Sequence, residues 1–94
     1  MKDRKSNKRF SLGKVFMTRG VMKRVPAIEA LNAFTRHASC DWGDADKFDW
    51  EQNNLALKEG TRLLSVYAIS NGLRLWIITE RDRSMTTLLL PEEY

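Results

Sequence analysis

The sequence predicts an α+β domain: a three-stranded antiparallel sheet, four-stranded if one more segment joins it, with two helices packed on one face. Three features of the chain point to this. Asn71-Gly72 separates two runs rich in β-branched, leucine and aromatic residues, 61–70 and 73–80, and this dipeptide suits a tight hairpin because both central positions of a type I′ turn need positive φ. A third such run, 85–90, follows the polar turn Arg81-Asp82-Arg83-Ser84. Ahead of all three, two segments carry helix signals.

Met1–Arg9 has no apolar residue after the initiator, so it buries too little surface to offset the entropy lost on ordering. It reads as a disordered basic arm, 1–9, before a single domain, 10–94. Val15-Phe16-Met17 is the candidate additional strand, and Gly20 reads as a break behind it. Val21–Val25 reads as one helical turn. Pro26 suits the first position of a helix, where its missing amide hydrogen costs nothing. From Ala27 to Ala38 the side chains Ala27, Ile28, Leu31, Phe34 and Ala38 fall on one stripe at helical spacing. Ser39–Lys47 is small, acidic and glycine-containing, hence a loop. Asp49 then reads as an N-cap with Gln52 three residues on, Glu51–Glu59 as a short helix, and Gly60 as its left-handed C-terminal cap.

A two-residue Asn71-Gly72 loop pairs Ala68 with Leu75, Val66 with Ile77 and Leu64 with Thr79 on the expected core face, and Tyr67 with Trp76 on the other. A four-residue second turn places Ile77 opposite Leu88 and Leu75 opposite Leu90. Two helices cover one face of such a sheet, so the Tyr67/Trp76 face is expected either at a partner or homodimer interface or beneath Phe10, Val15 and Phe16.

The chain has 94 residues and a net charge of +4, with one cysteine, Cys40. One domain fits that length, and a lone cysteine excludes an internal disulfide. The charge is uneven: residues 1–24 hold nine Lys/Arg against one acid, and residues 25–94 hold seven against eleven. A basic arm on an acidic body suits salt-sensitive contact with phosphates, through Lys2, Arg4, Lys5, Lys8, Arg9 and Lys14. No apolar run approaches the roughly 18–20 residues that cross a bilayer, and no hydrophobic stretch follows the charged start as in a signal peptide. A cytoplasmic protein without membrane contact is expected.

Motif chemistry is sparse. Asp41, Asp44, Asp46, Asp49 and Glu51 lack the ligand spacing of an EF-hand, and His37 with Cys40 has no second histidine or cysteine to complete a zinc site. No metal or cofactor is expected. Phosphate-binding and nucleophile-elbow motifs are absent from the sequence. An enzyme centred on His37, with Asp41 and Arg83, is the least favoured reading. The residues best suited to contact another protein are Trp42, Tyr67, Trp76, Arg81 and Arg83, although Trp42, in its glycine-flanked loop, is expected rather to plug the core.

Several blocks stand out together: Arg36-His37 and Asp41-Trp42-Gly43; Asn53 with Ala56-Leu57-Lys58-Glu59-Gly60; Arg62 to Tyr67; Trp76 to Thr79; Asp82-Arg83-Ser84; and Leu89 to Tyr94. In combination they resemble a small family encoded on bacterial plasmids, prophages and integrated elements, whose members are called plasmid-related proteins or type I restriction subunits. The resemblance covers residues 11–94 and implies a mobile-element origin. A methyltransferase subunit would need a cofactor-binding α/β domain that this pattern does not provide. The chain departs from the family in its longer basic arm and in Thr18-Arg19-Gly20, where Thr-Pro-Gly is usual. The expected function is a non-enzymatic protein that docks on a host protein complex, such as a counter-defence (anti-CRISPR or anti-restriction) inhibitor. The alternative is a nucleic-acid-binding accessory protein using the arm.

Overall fold

A computed structural model describes residues 10–94. Among them are four strands and three α-helices: β1 (Lys14–Met17), α1 (Arg19–Arg24), α2 (Ala27–Ala38), α3 (Lys47–Glu59), β2 (Leu63–Ala68), β3 (Arg74–Thr79) and β4 (Met85–Leu89), then a 3₁₀ turn at Pro91–Glu93. The strands form one sheet in the order β1-β4-β3-β2.

The fold is α+β as expected, but the sheet is mixed. Val15-Phe16-Met17 does join the edge, and it runs parallel to β4. Hairpins make β2, β3 and β4 antiparallel; three helices and the β2–β3 hairpin separate β1 from its partner β4, a connection long enough for a parallel pair.

The first hairpin departs from expectation by one residue. Val66 lies opposite Trp76 and Tyr67 opposite Leu75. The loop holds three residues, Ser70-Asn71-Gly72: Ile69 N–H donates to Leu73 O and Gly72 N–H to Ile69 O, both at 2.9 Å. Distant parts of the chain hold it. Glu29 on α2 accepts from the Ser70 N–H at 2.8 Å, and Asn71 Nδ2 donates to Arg24 O at 2.8 Å. Because side chains alternate, that slip exchanges the faces of β2. Leu63, Ser65, Tyr67 and Ile69 point to the helices, and Leu64 and Val66 point away. The second turn is as expected, with Ile77 opposite Leu88.

Three helix details are also corrected. Gly20 does not break the chain but lies inside α1, which Thr18 caps; a Cβ on Gly20 would come within 2.4 Å of Glu93 Oε2. α2 has its expected bounds, yet its buried side chains are Ala30, Ala33, His37 and Ala38, while Ile28 and Leu31 are 63% and 57% exposed. Small alanines let the helix lie close to the sheet, and the larger residues turn outward. α3 starts at Lys47 rather than Glu51, because Asp46, not Asp49, is its cap: Asp46 Oδ1 accepts from Asp49 N–H at 2.9 Å. Gly60 closes α3 at φ 72° as expected.

The main core, on the helix side of the sheet, joins Val21, Val25, Ala30 and Ala33 to Tyr67, Ile69, Leu75, Ile77, Leu88 and Leu90. A second cluster sets Trp42 and Ala56 on Leu63, beside Phe10 and Trp50.

The two sheet edges differ. On the β2 edge, the Asn53 side chain pairs with both backbone groups of Leu64, donating to O at 2.6 Å and accepting from N–H at 3.1 Å. Next to it, Val66 N–H donates to Trp42 O and Val66 O accepts from Asp44 N–H. The β2 edge is therefore closed by side chain and loop. β1 is the other edge, and all four of its residues are exposed.

Candidate protein-binding surface

His37 lies wholly inside the domain. Its ring meets Phe10 and Trp42 edge-on, each at 5.5 Å between centroids. Nδ1 bonds Ser65 Oγ, and Nε2 bonds Thr79 Oγ1 at 2.9 Å. Thr79 Oγ1 in turn bonds Thr86 Oγ1 at 2.7 Å, and Thr86 donates to Leu12 O at 2.7 Å. That last bond sets the polarity of the chain. A carbonyl only accepts, so the Thr86 proton is committed to Leu12; Thr79 donates to Thr86, His37 Nε2–H donates to Thr79, and Ser65 donates to Nδ1. His37 is the neutral Nε2–H tautomer. Burial, with the positive charge of Arg83 as a smaller contribution, lowers its pKa to about 3.

Three of the residues expected to contact a protein are instead structural. Trp42 has no exposed surface and donates from Nε1 to Asn54 Oδ1 at 3.0 Å. Tyr67 is buried by the hairpin slip, donates to Asp41 O at 2.7 Å, and carries the Arg36 guanidinium 5.0 Å above its ring. Arg36 also pairs with Asp41 at 2.8 Å, which holds the Asp41 carboxyl below its ordinary range. Arg83 donates to Thr61 O and Ala56 O, at 2.6 and 3.1 Å, tying the end of α3 to the second turn. Its guanidinium is spent on carbonyls at the end of that helix.

Trp76 and Arg81 remain accessible. The sheet face turned away from the helices carries Leu64, Val66, Trp76, Ile78, Thr87 and Leu89; Ile78 and Leu89 are buried, at 4% and 6% exposure, and Phe16 and Met85 at the flank are 48% and 38% exposed. Among the described residues no helix lies on this face; the molecule is 22 Å across its shortest axis, the depth of one sheet and one helix layer. Phe10 and Val15, expected over this face, lie elsewhere: Phe10 at His37 and Val15 beside α2.

What does lie here is Tyr94. Its ring stands edge-on to Trp76 at 5.6 Å, and the Arg62 guanidinium sits 5.5 Å from its centroid. Arg62 also lines, with Thr61, Glu80 and Arg81, a shallow depression of about 180 Å³. Arg62, Tyr94 and Trp76 thus form a cation–aromatic row that continues into Arg81. Sequence reasoning missed Arg62 and Tyr94. The correct hairpin register would have placed Arg62 on this face by alternation, but nothing local shows where the chain end turns.

Of the residues expected to bind nucleic acid, Lys14 is exposed at the start of β1. Lys2, Arg4, Lys5, Lys8 and Arg9 lie outside the described residues. Among the described residues no three His, Cys, Asp or Glu side chains converge as a metal site, and no helix is long and apolar enough to cross a membrane.

Compared with protein-family models, curated proteins and solved structures, the chain matches none.

Proposed function

We propose that this chain is a non-enzymatic binding protein that docks on a host protein complex through the helix-free face of its sheet. The observation that carries this is the Arg62–Tyr94–Trp76 row on the sheet face opposite the α-helices. Tryptophan, tyrosine and arginine are the side chains that most often dominate binding energy at protein interfaces. His37, the side chain best suited to acid–base work, has no exposed surface, and both its nitrogens are held by hydroxyl groups; this weighs against the enzyme reading. The resemblance to plasmid- and prophage-encoded proteins suggests the concrete form, a counter-defence inhibitor of the anti-CRISPR or anti-restriction kind.

A second reading is supported by the nine basic residues among the first 24: non-specific contact with nucleic acid through Lys2, Arg4, Lys5, Lys8, Arg9 and Lys14. A tagged pull-down from bacterial lysate, with and without nuclease, separates the two when the full chain is compared with one lacking residues 1–9. A nuclease-resistant protein partner kept by the shortened chain supports docking. Nuclease-sensitive recovery that vanishes with the arm supports nucleic acid.

A further inference from the structure

The open β1 edge carries two features that the outer sheet face does not. First, it exposes backbone. Lys14 N–H donates to Ser84 O and Thr18 N–H to Leu88 O, both at 3.0 Å. Peptide groups alternate along a strand, so Val15 and Met17 direct their N–H and C=O groups away from β4, into the position of a further strand. Second, an apolar groove of about 150 Å³ runs beside that position, between β1 and α2, lined by Val15, Met17, Ala27, Leu31, Phe34 and Leu88. This is where the outward-turned side chain of Leu31 goes.

Charge decides what fits. Residues 10–24 contain Lys14, Arg19, Lys23 and Arg24 and no acid. Lys14 and Arg19 bracket the edge. Glu92 and Glu93, which reach this part of the molecule, are engaged: Glu92 by Arg24 at 2.9 Å, and Glu93 by Thr18 and the Gly20 N–H. A second copy of the chain is a poor occupant. Antiparallel pairing of two β1 strands about Phe16 sets Lys14 of one copy near Thr18 and Arg19 of the other, bringing like charges together.

We propose that the β1 edge is a strand-addition site for an extended segment of another protein, with aliphatic residues at alternate positions and carboxylates flanking them. Main-chain bonds to Val15 and Met17 supply affinity, the groove accepts every second side chain, and Lys14 and Arg19 select acidic flanks. This site lies apart from the Trp76 face and does not rest on the docking proposed there.

The test uses the full chain, isotope-labelled, and a short synthetic peptide of alternating valine and threonine with aspartates at both ends. Expected are amide shifts centred on Val15–Met17, slowed exchange of the Val15 and Met17 amides, and affinity that weakens as salt rises. A peptide with lysines at both ends should bind about tenfold or more weakly, because like charges would then meet at each flank. Leu31→Glu puts a carboxylate at an exposed helix position beside the groove and should abolish binding without disturbing the fold, whereas Trp76→Ala should leave it unchanged. Absence of shifts at β1, equal binding of the lysine-ended peptide, or loss of binding on Trp76→Ala would overturn the proposal. The last result would move the peptide to the outer face and leave the docking proposal standing.

Discussion

His37 Nε2 donates to Thr79 Oγ1 over 2.9 Å, joining α2 to β3 across 42 residues of sequence. The bond belongs to a buried relay running from Ser65 to the carbonyl of Leu12, in which Nδ1 accepts from the Ser65 hydroxyl while the imidazole is neutral; protonation would turn Nδ1 into a donor and reverse that end of the relay. Deep burial makes that protonation costly.

Stability should therefore depend on pH in a defined window. The His37 pKa falls from 6.5 in the unfolded chain to about 3 in the fold. Between those values the unfolded state binds the extra proton, so unfolding free energy rises with pH and is fully restored above 6.5. Lowering pH from 8 to 5 should remove about 2 kcal/mol through this one group, most of it below 6.5 as the slope approaches 1.36 kcal/mol per unit. Urea unfolding across that range, compared with His37→Gln, checks it: the variant should be less stable at neutral pH and show a shallower loss towards acid.

The tautomer is a separate expectation. Long-range ¹H–¹⁵N correlation of the ring should show the hydrogen on Nε2 and the lone pair on Nδ1, unchanged from pH 8 down to about 5. A ring that titrates near 6.5 would mean that the relay is open to water.

Two glycines with nearly the same backbone angle should respond differently to alanine. Gly43 (φ 68°) sits against β2, where a Cβ would come within 2.1 Å of Val66 O; Gly60 (φ 72°) has nothing within 4 Å. Gly60→Ala should cost roughly 1–2 kcal/mol for its left-handed backbone alone. Gly43→Ala carries the same strain and also forces the loop off the β2 edge, so its melting temperature should fall clearly further.

Asn53 closes that edge. Asn53→Ala leaves the Leu64 N–H and O without their partners, and should destabilise by roughly 1–3 kcal/mol. It should also raise the tendency to self-associate, because a second strand edge is then open; light scattering on heating reads the two effects together.

The elements were largely legible in the sequence, and the details that place the surface were not. Gly60 marks a helix end through local backbone chemistry, Pro26 marks another although it stands as the cap rather than at the first helical position, and the Arg81–Ser84 turn has the expected register. The hairpin failed because Glu29 and Arg24 hold Ser70 and Asn71 from other parts of the chain. That one-residue slip moved Tyr67 inward while Trp76 stayed out. The buried face of α2 was misread for a related reason: the side chains chosen by size, Ile28 and Leu31, yield to alanines where the helix approaches the sheet. Arg83 looks like an anchor because exposure cannot be read from residue type, whereas the size of Trp42 in so small a domain already favours the buried position it takes.

The most direct test of docking through the outer sheet face is the partner yield of Trp76→Ala and Arg62→Ala in the nuclease-treated pull-down, with Tyr67→Phe as the buried control. Each variant is first matched to the parent chain by thermal melting. If the face is the docking site, Trp76→Ala should lower affinity by roughly 30-fold, the effect of losing about 2 kcal/mol at an interface hot spot, and Tyr67→Phe should retain the partner. Undiminished capture by both Trp76→Ala and Arg62→Ala would contradict it.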